Sequence, residues 1–163
     1  MEMQQAIQAR RSIRRYTSAK PKPEHIEQII TAGTWAPSGL NNQPWRFKVV
    51  DGKLKDGLAQ FTTYAAIIQA APIAVCVFLD KEAMYARDKD CMAIGACIQN
   101  MLLTAHELGY GTCWLGEILN KKDAVHAYLK TPVMCELLAV ITLGRPTANP
   151  GKGTRRPTAS FCL

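Results

Sequence analysis

The sequence predicts a single α+β domain in which helices precede and separate a few β-strands. Its 163 residues are enough for one substantial core. Hydrophobic residues make up 48% of the chain and charged residues 20%, which is typical of a globular protein. Helical and strand-like periodicities alternate without internal repeats or an interdomain linker. We therefore expect one domain over residues 1–163, of which residues 145–163 form an extended arm.

Apolar runs of strand length predict the sheet, and the run at 72–79 is apolar throughout, as in a buried central strand. The predicted strands are residues 45–51, 72–79, 111–116 (a short strand or turn) and 135–144.

Helical spacing of apolar residues predicts the helices. In the first helix Met3, Ala6 and Ile7 are expected to point inward, and in the second Ile26, Ile29, Ile30 and Trp35. The predicted helices are residues 2–10, 24–36, 52–61 (weakened by Gly57), 90–109 and 120–130.

The helix at 90–109 is apolar or small on most faces, which is typical of a central buried helix that another helix approaches closely. The arm at 145–163 shows almost no periodicity and needs a surface to lie on. Together these features predict an intertwined dimer.

The cysteines form no CxxC pair and no zinc-site spacing, and most of them have apolar neighbours (Cys76, Cys91, Cys97, Cys113, Cys135 and Cys162). We interpret them as reduced thiols of a cytoplasmic protein without a metal. No apolar run approaches the ~18 residues of a membrane span, and residues 1–16 lack the apolar stretch of a signal peptide.

Positive charge is concentrated at the two ends of the chain. Residues 1–22 carry six basic residues and one acid, residues 145–163 carry four basic residues and no acid, and the middle is slightly acidic. Two compact basic clusters favour convergence on one small anion such as a phosphate, with solvated basic tails as the alternative. A nucleic-acid binder more often spreads its charge along a groove or helix face.

Three segments have the composition of a binding site. "RRSIRRY" (10–16) places forked guanidinium donors around a serine, which suits phosphate oxygens or a solvated helix end. "APSGLNNQPWRF" (36–47) can present amides to a flat polar ligand or form a plain turn. "GYGTCWLGE" (109–117) permits close backbone approach, and it follows a helix rather than a strand, unlike a Rossmann fingerprint. None supplies a nucleophile with a base, so hard chemistry would come from a cofactor.

Together with "LGRP" and "TRRP" near the end, these segments resemble the FMN-dependent nitroreductase family, in the family's order and over nearly the whole chain. The resemblance implies a mostly antiparallel sheet flanked by helices, in a homodimer with an exchanged C-terminal arm. Each of the two FMN sites would be lined by both subunits.

The resemblance also assigns residues to the cofactor. Around the FMN phosphate it implies Arg10, Arg11 and Ser12, with Arg155, Arg156 or Lys152 from the arm, and beside flavin N1 and O2 it implies Arg14. From the partner subunit it implies Pro37, Ser38, Gly39 and Asn41, and beside flavin N5 it implies Leu115, Gly116 and Glu117. A ring-contacting amide that relatives often carry has no clear equivalent near Thr63 and Tyr64.

The activity implied is hydride transfer from NADH or NADPH, through flavin N5, to a nitroaromatic, quinone or similar acceptor by a ping-pong mechanism. No side chain is expected to be an essential acid or base, and Arg14 is expected to favour the reduced flavin. Alternatives are a specialised flavin reaction such as reductive dehalogenation or flavin consumption, and a flavin carrier or sensor without turnover. A further alternative is a protein without enzymatic activity whose basic ends bind nucleic acid or an acidic partner.

Overall fold

The computed structural model describes residues 2–163, in which six α-helices surround one four-stranded sheet. The helices are α1 (Met3–Ala9), α2 (Pro23–Thr34), α3 (Gly52–Gly57), α4 (Ala65–Ala70), α5 (Arg87–Glu107) and α6 (Lys122–Leu129). The strands are β1 (Trp45–Asp51), β2 (Ile73–Asp80), β3 (Gly111–Leu115) and β4 (Cys135–Gly144).

The sheet has the order β1-β2-β4-β3, and every neighbouring pair is antiparallel. All eight residues of β2 are buried, because β2 is a central strand and helices cover both faces of the sheet. The predicted α+β class and the antiparallel sheet flanked by helices are therefore confirmed.

The two faces of the sheet have separate cores. One face packs against α2 and α5, and its core includes Val75, Val77, Ile94 and Met101. The other face packs against α3, α4 and α6 around residues such as Phe78. The long helix α5 therefore runs across one face of the sheet.

Close contact between α2 and α5 depends on Gly33. A Cβ atom at this position would lie 2.7 Å from Cγ of Met101 and 3.0 Å from Sγ of Cys97. These separations are shorter than van der Waals contact, so a larger residue would push the helices apart.

The segment after α1 connects the two basic ends of the chain. The backbone N–H of Ile13 donates to the carbonyl of Thr112 at 2.8 Å, beside a parallel bridge between Ser12 and Thr112. The N–H of Thr17 donates to the carbonyl of Arg145 at 2.9 Å. The N-terminal basic segment therefore lies along β3 and against the beginning of the C-terminal arm.

The four predicted strands are confirmed, but three core predictions are wrong. Met3 is 71% exposed, Ile7 is 49% exposed and Trp35 is 83% exposed, whereas Ala6 is buried. The two turns of α1 meet the body of the chain along one narrow stripe, and Trp35 is the C-cap of α2, where helical periodicity no longer directs the side chain.

The region 52–71 also differs from its prediction. Helix α3 ends at Gly57 and continues as a 3-10 turn over Leu58–Phe61. The following helix α4 is not predicted, since six residues are too few to show a helical period. Within residues 2–163, no helix combines the length and apolar character that crossing a bilayer requires.

Candidate functional site

Basic side chains from both ends of the chain meet at the C-terminal end of α5. The Nε of Arg11 donates to the carbonyl of Gly151 at 3.3 Å, and the guanidinium packs against Gly153. Beside it lies an open depression lined by Ile7, Gln8, Arg11, Lys152, Gly153 and Arg155. We call Arg10, Arg11, Lys152 and Arg155 the cationic cluster.

The cationic cluster has the electrostatics of an anion site. Burial and the charges of Arg11 and Arg155 lower the pKa of Arg10, and the Nε of Arg10 is buried without a hydrogen-bond partner among residues 2–163. None of the ion pairs of the described chain includes a member of the cluster. Like charges held together with an unused buried donor favour a bound anion.

The three basic residues expected from the arm differ in position. Arg155 acts electrostatically on Arg10, and Lys152 lines the same depression as Arg11. The guanidinium of Arg156 instead lies 4.7 Å from the ring centroid of Phe161. Within one chain, Arg155 and Lys152 therefore join the cluster, and Arg156 does not.

His106 lies near the C-terminal end of α5, beside the cationic cluster. It lines a small cavity of ≈ 160 Å³ with Arg10, Arg11 and Tyr110, and its Nε2 is buried without a partner in the described chain. Burial, followed by the charges of Arg10 and Arg11, lowers the pKa of His106. A histidine in a predicted apolar helix carries no sequence signal for this contact, which depends on a distant segment.

This environment predicts that an anion on the cluster raises the pKa of His106. An anion screens the arginine charges that disfavour the imidazolium, so the pKa of His106 is expected to shift upward. An NMR titration of His106 with and without inorganic phosphate measures it. A pKa of His106 that stays constant would contradict an anion at this cluster.

Ser12 and Arg14 extend the site along β3. Ser12 sits beside Thr112 through the parallel bridge, and Nη1 of Arg14 donates to the carbonyl of Ser12 at 3.2 Å. Burial raises the pKa of the Cys113 thiol while the nearby charge of Arg14 opposes that rise. Arg14 therefore lies next to Cys113 of β3, adjacent to the cationic cluster.

The far end of β3 presents open backbone. Leu115 is buried, and nothing lies within 4 Å of where a Cβ of Gly116 would be. From Thr112 to Gly116 the strand covers about 13 Å. The site along β3 is therefore elongated, with cations at one end and accessible glycine backbone at the other.

The side chain of Glu117 is occupied by a neighbouring loop. Its carboxylate accepts from Oγ1 of Thr62 at 2.5 Å and from the N–H of Thr63 at 3.1 Å, and the Thr62 bond lowers the pKa of Glu117. Glu117 thus fixes the segment around Thr63 beside β3.

The segment over residues 36–44, which we call the Pro-Asn loop, has an unusual backbone. Leu40, Asn41 and Gln43 all have positive φ angles, between 48° and 55°. The hydroxyl of Ser38 accepts from the N–H of Gln43 at 3.1 Å, which braces the turn. Non-glycine residues in this region are strained, and such strain concentrates at functional sites.

One chain does not bring the Pro-Asn loop to the cationic cluster. Pro37, Ser38 and Gly39 line a shallow depression with Lys89, Met92, Ala93 and Ala96 of α5. The cluster lies at the opposite end of that helix, near His106. Ala93 and His106 are about 20 Å apart along the helix axis. Within one chain, the predicted site residues therefore form two separate groups.

A central antiparallel sheet, an edge strand with an elongated site and a cationic end define an α+β protein whose site suits an anionic ligand. The chain matches the model of the Nitroreductase family over residues 7–65 and 61–145. It therefore belongs to the nitroreductase family, and the resemblance seen in the sequence is confirmed.

Solved and curated relatives agree with this assignment. A crystal structure of a protein assigned as a nitroreductase from Desulfovibrio desulfuricans, in complex with FMN, has a TM-score of 0.94 and 47% identity, covering 98% of this chain and 94% of that one. A protein of Methanothermobacter thermautotrophicus assigned as an NADH dehydrogenase/NAD(P)H nitroreductase is 30% identical over 154 residues, covering 93% of this chain and 81% of the relative. The chain is an enzyme of the oxidoreductase class, as predicted.

A third relative has a different reaction in its name. Iodotyrosine deiodinase of Thermotoga neapolitana is 30% identical over 129 residues, covering 63% of this chain and 67% of the relative. The family likeness therefore extends to a protein named for dehalogenation.

Proposed function

We propose that this protein is an FMN-dependent NAD(P)H oxidoreductase that reduces a nitroaromatic, a quinone or a similar conjugated acceptor by a ping-pong mechanism. The observation that carries the proposal is the cationic cluster at one end of an elongated site, together with the FMN-bound relative at 47% identity. The residues present fit FMN, because the buried unused donor of Arg10 and the unpaired cations suit its phosphate.

When bound, FMN would supply the two-electron chemistry, accepting hydride from a nicotinamide and passing it to the second substrate. Arg10, Arg11 and Ser12, with Arg155 or Lys152, would hold the phosphate. The backbone N–H groups at Leu115, Gly116 and Glu117 would orient the ring at N5. These residues bind and orient, and none of them needs to exchange a proton with the substrate.

We further propose that the site is completed by a second copy of the chain. Residues 147–163 of the arm are all exposed, and Trp35, Leu40 and Met92 expose 83%, 84% and 72% of their surface around the Pro-Asn loop. Apolar exposure of this extent favours an interface. A two-fold homodimer with exchanged arms would cover these residues and place Pro37, Ser38, Gly39 and Asn41 against the partner's cofactor.

The chain would act as one domain over residues 1–163, with residues 145–163 as the arm. We place it in the cytoplasm, a proposal supported by six cysteines that are all free thiols.

The test is the visible spectrum of the purified dimer. Bound flavin gives a yellow protein that releases FMN on denaturation, and NADH or NADPH bleaches it in the absence of oxygen. A colourless protein that FMN cannot reconstitute would refute the proposal. A yellow protein that neither nicotinamide bleaches would instead identify a flavin carrier.

Reductive dehalogenation is a second candidate, favoured by the likeness to iodotyrosine deiodinase. The loop between β2 and α5 is only residues 81–86, which leaves little chain to enclose a substrate. Halide release from an iodinated phenol by the reduced enzyme, measured against reduction of a nitroaromatic, separates the two acceptor classes.

Replacing Arg14 by alanine is expected to make flavin reduction harder. A fixed cation beside N1 and O2 stabilises the negative charge that the ring gains with two electrons. Its loss should lower the two-electron midpoint potential of the bound flavin by about 30 mV, equivalent to about 1.4 kcal/mol. Potentiometric titration measures the shift.

Arg15→Ala is the matched control, because Arg15 carries the same charge one residue further along and is also exposed. Equal potentials in the Arg14 and Arg15 variants would show that Arg14 has no specific position at the ring.

A further inference from the structure

Asp90 is a fully buried carboxylate that connects two loops. It lies in the first turns of α5, and it accepts from Nδ2 of Asn42 in the Pro-Asn loop at 2.9 Å. Its other oxygen accepts from the N–H groups of Tyr85 at 2.7 Å and Ala86 at 2.9 Å. One side chain thus ties the Pro-Asn loop and the β2–α5 loop (residues 81–86) to the beginning of α5.

The charge of Asp90 is maintained by these bonds. Burial opposes ionisation, but the hydrogen bonds from Asn42, Ala86 and Tyr85 outweigh it and lower the pKa of Asp90. A buried carboxylate is retained only where its donors are complete, and breaking such a network is costly. The three donors come from the two loops. If either loop moved away, the buried Asp90 carboxylate would lose hydrogen bonds that compensate for its burial.

The two polar atoms of the Asn42 side chain differ in how they are satisfied. Its Nδ2 also donates to the carbonyl of Ala83 at 3.0 Å, while its Oδ1 is buried without a partner among residues 2–163. If the Asn42 amide were rotated, its Oδ1 would face the Asp90 carboxylate and the Ala83 carbonyl. All three groups are hydrogen-bond acceptors, so they would repel one another. The orientation of Asn42 is therefore set by Asp90 and Ala83.

The backbone on either side of Asn42 needs such a restraint. Leu40, Asn41 and Gln43 have left-handed φ angles, and strained residues persist only where their surroundings over-determine them. The ring of Tyr85 packs against Gly39, where a Cβ would lie 2.9 Å from Cδ1 of Tyr85. The β2–α5 loop therefore supports the Pro-Asn loop through both a ring contact and the shared carboxylate.

We propose that Asp90 is a positioning residue that holds the Pro-Asn loop in its binding conformation before the cofactor arrives. The inference rests on the proposed function, in which this loop completes the partner's FMN site. Without Asp90 the loop populates other conformations, and the apparent FMN affinity falls by the fraction of competent molecules. Chemistry in the loaded enzyme is unaffected, because bound cofactor selects the same loop conformation.

The decisive comparison is Asp90→Asn with Asp88→Asn. Both changes remove one negative charge from the beginning of α5, but Asp88 is exposed. For D90N we expect the FMN dissociation constant to rise about tenfold, with kcat at saturating FMN within about twofold of the original. D88N should leave both unchanged. D90N with the FMN affinity of D88N, even if its melting temperature is lower, would overturn the proposal.

A double-mutant cycle with Asn42→Ala tests whether the effect passes through Asn42. If it does, N42A and D90N should each raise the FMN dissociation constant, and D90N/N42A should raise it little more than the larger single change. Losses that simply add on a logarithmic scale would contradict coupling through this contact.

Hydrogen exchange in the cofactor-free protein separates this inference from the proposed function. Amides of residues 38–43 and 83–86 should exchange faster in D90N than in D88N, and the two segments should change together. If the original protein binds no FMN, the proposed function fails, while exchange still decides whether Asp90 restrains the loops. Unchanged exchange in both segments would overturn the restraint itself.

Discussion

Arg10→Ala is expected to weaken FMN binding by about tenfold to a hundredfold. A charge-assisted hydrogen bond contributes about 1.5–3 kcal/mol, and each 1.4 kcal/mol is a factor of ten in affinity. The Nε of Arg10 is a buried donor without a partner in the described chain, so we expect Arg10 to donate a hydrogen bond to the phosphate. Quenching of FMN fluorescence on titration with the cofactor-free protein measures the dissociation constant.

Riboflavin shows which part of the cofactor Arg10 contacts. Riboflavin has the same ring without the phosphate, so Arg10→Ala should lower FMN affinity and leave riboflavin affinity nearly unchanged. Arg156→Ala is the control within the chain, since Arg156 lies against Phe161. An equal loss of affinity for FMN and for riboflavin would show that Arg10 does not contact the phosphate.

At limiting FMN, mixed dimers are expected to regain the FMN binding and activity that both parent variants lack. One parent carries Arg10→Ala in the cationic cluster, and the other carries Ser38→Ala with Asn41→Ala in the Pro-Asn loop. If each site takes its cluster from one subunit and its loop from the other, every mixed dimer holds one intact site and one doubly altered site. Co-expression with two affinity tags isolates the mixed dimers, and FMN content and NAD(P)H oxidation are measured per dimer.

The expected result is about half of the original FMN content in the mixed dimer at FMN concentrations where both parents are nearly empty. If cluster and loop of one site came from the same chain, neither site would be intact and the mixed dimer would stay as empty as its parents. The separation of about 20 Å along α5 between the two groups within one chain favours the first outcome.

Several features of the fold follow from local sequence. The run at 72–79 is apolar on both faces, and the structure places β2 in the centre of the sheet. Gly57 ends α3 where the sequence weakens the helix. Such features depend on short-range periodicity and on the backbone preferences of single residues. The exposure of Trp35 was not predictable in this way, because it depends on where the chain turns after α2.

The residue types of the site could also be predicted from the sequence, because the basic residues at both ends of the chain and the glycine-rich segment of β3 are local signals. The connection of Asp90 to Asn42 could not be predicted, because the two residues are 48 positions apart and Asp90 belongs to no motif. The unused Nε2 of His106 likewise appears only once Arg10 and Arg11 are packed beside α5.

The sequence by itself determined the fold class, the family and the residue types that the site contains. Only the tertiary structure decided which of them meet: the two basic ends at one end of α5, and the Pro-Asn loop near the other. The physical reason is that periodicity and turn chemistry act over a few residues, whereas the site depends on contacts between distant segments. Those contacts are set by how α5 packs across the sheet and by how the N-terminal segment pairs with β3.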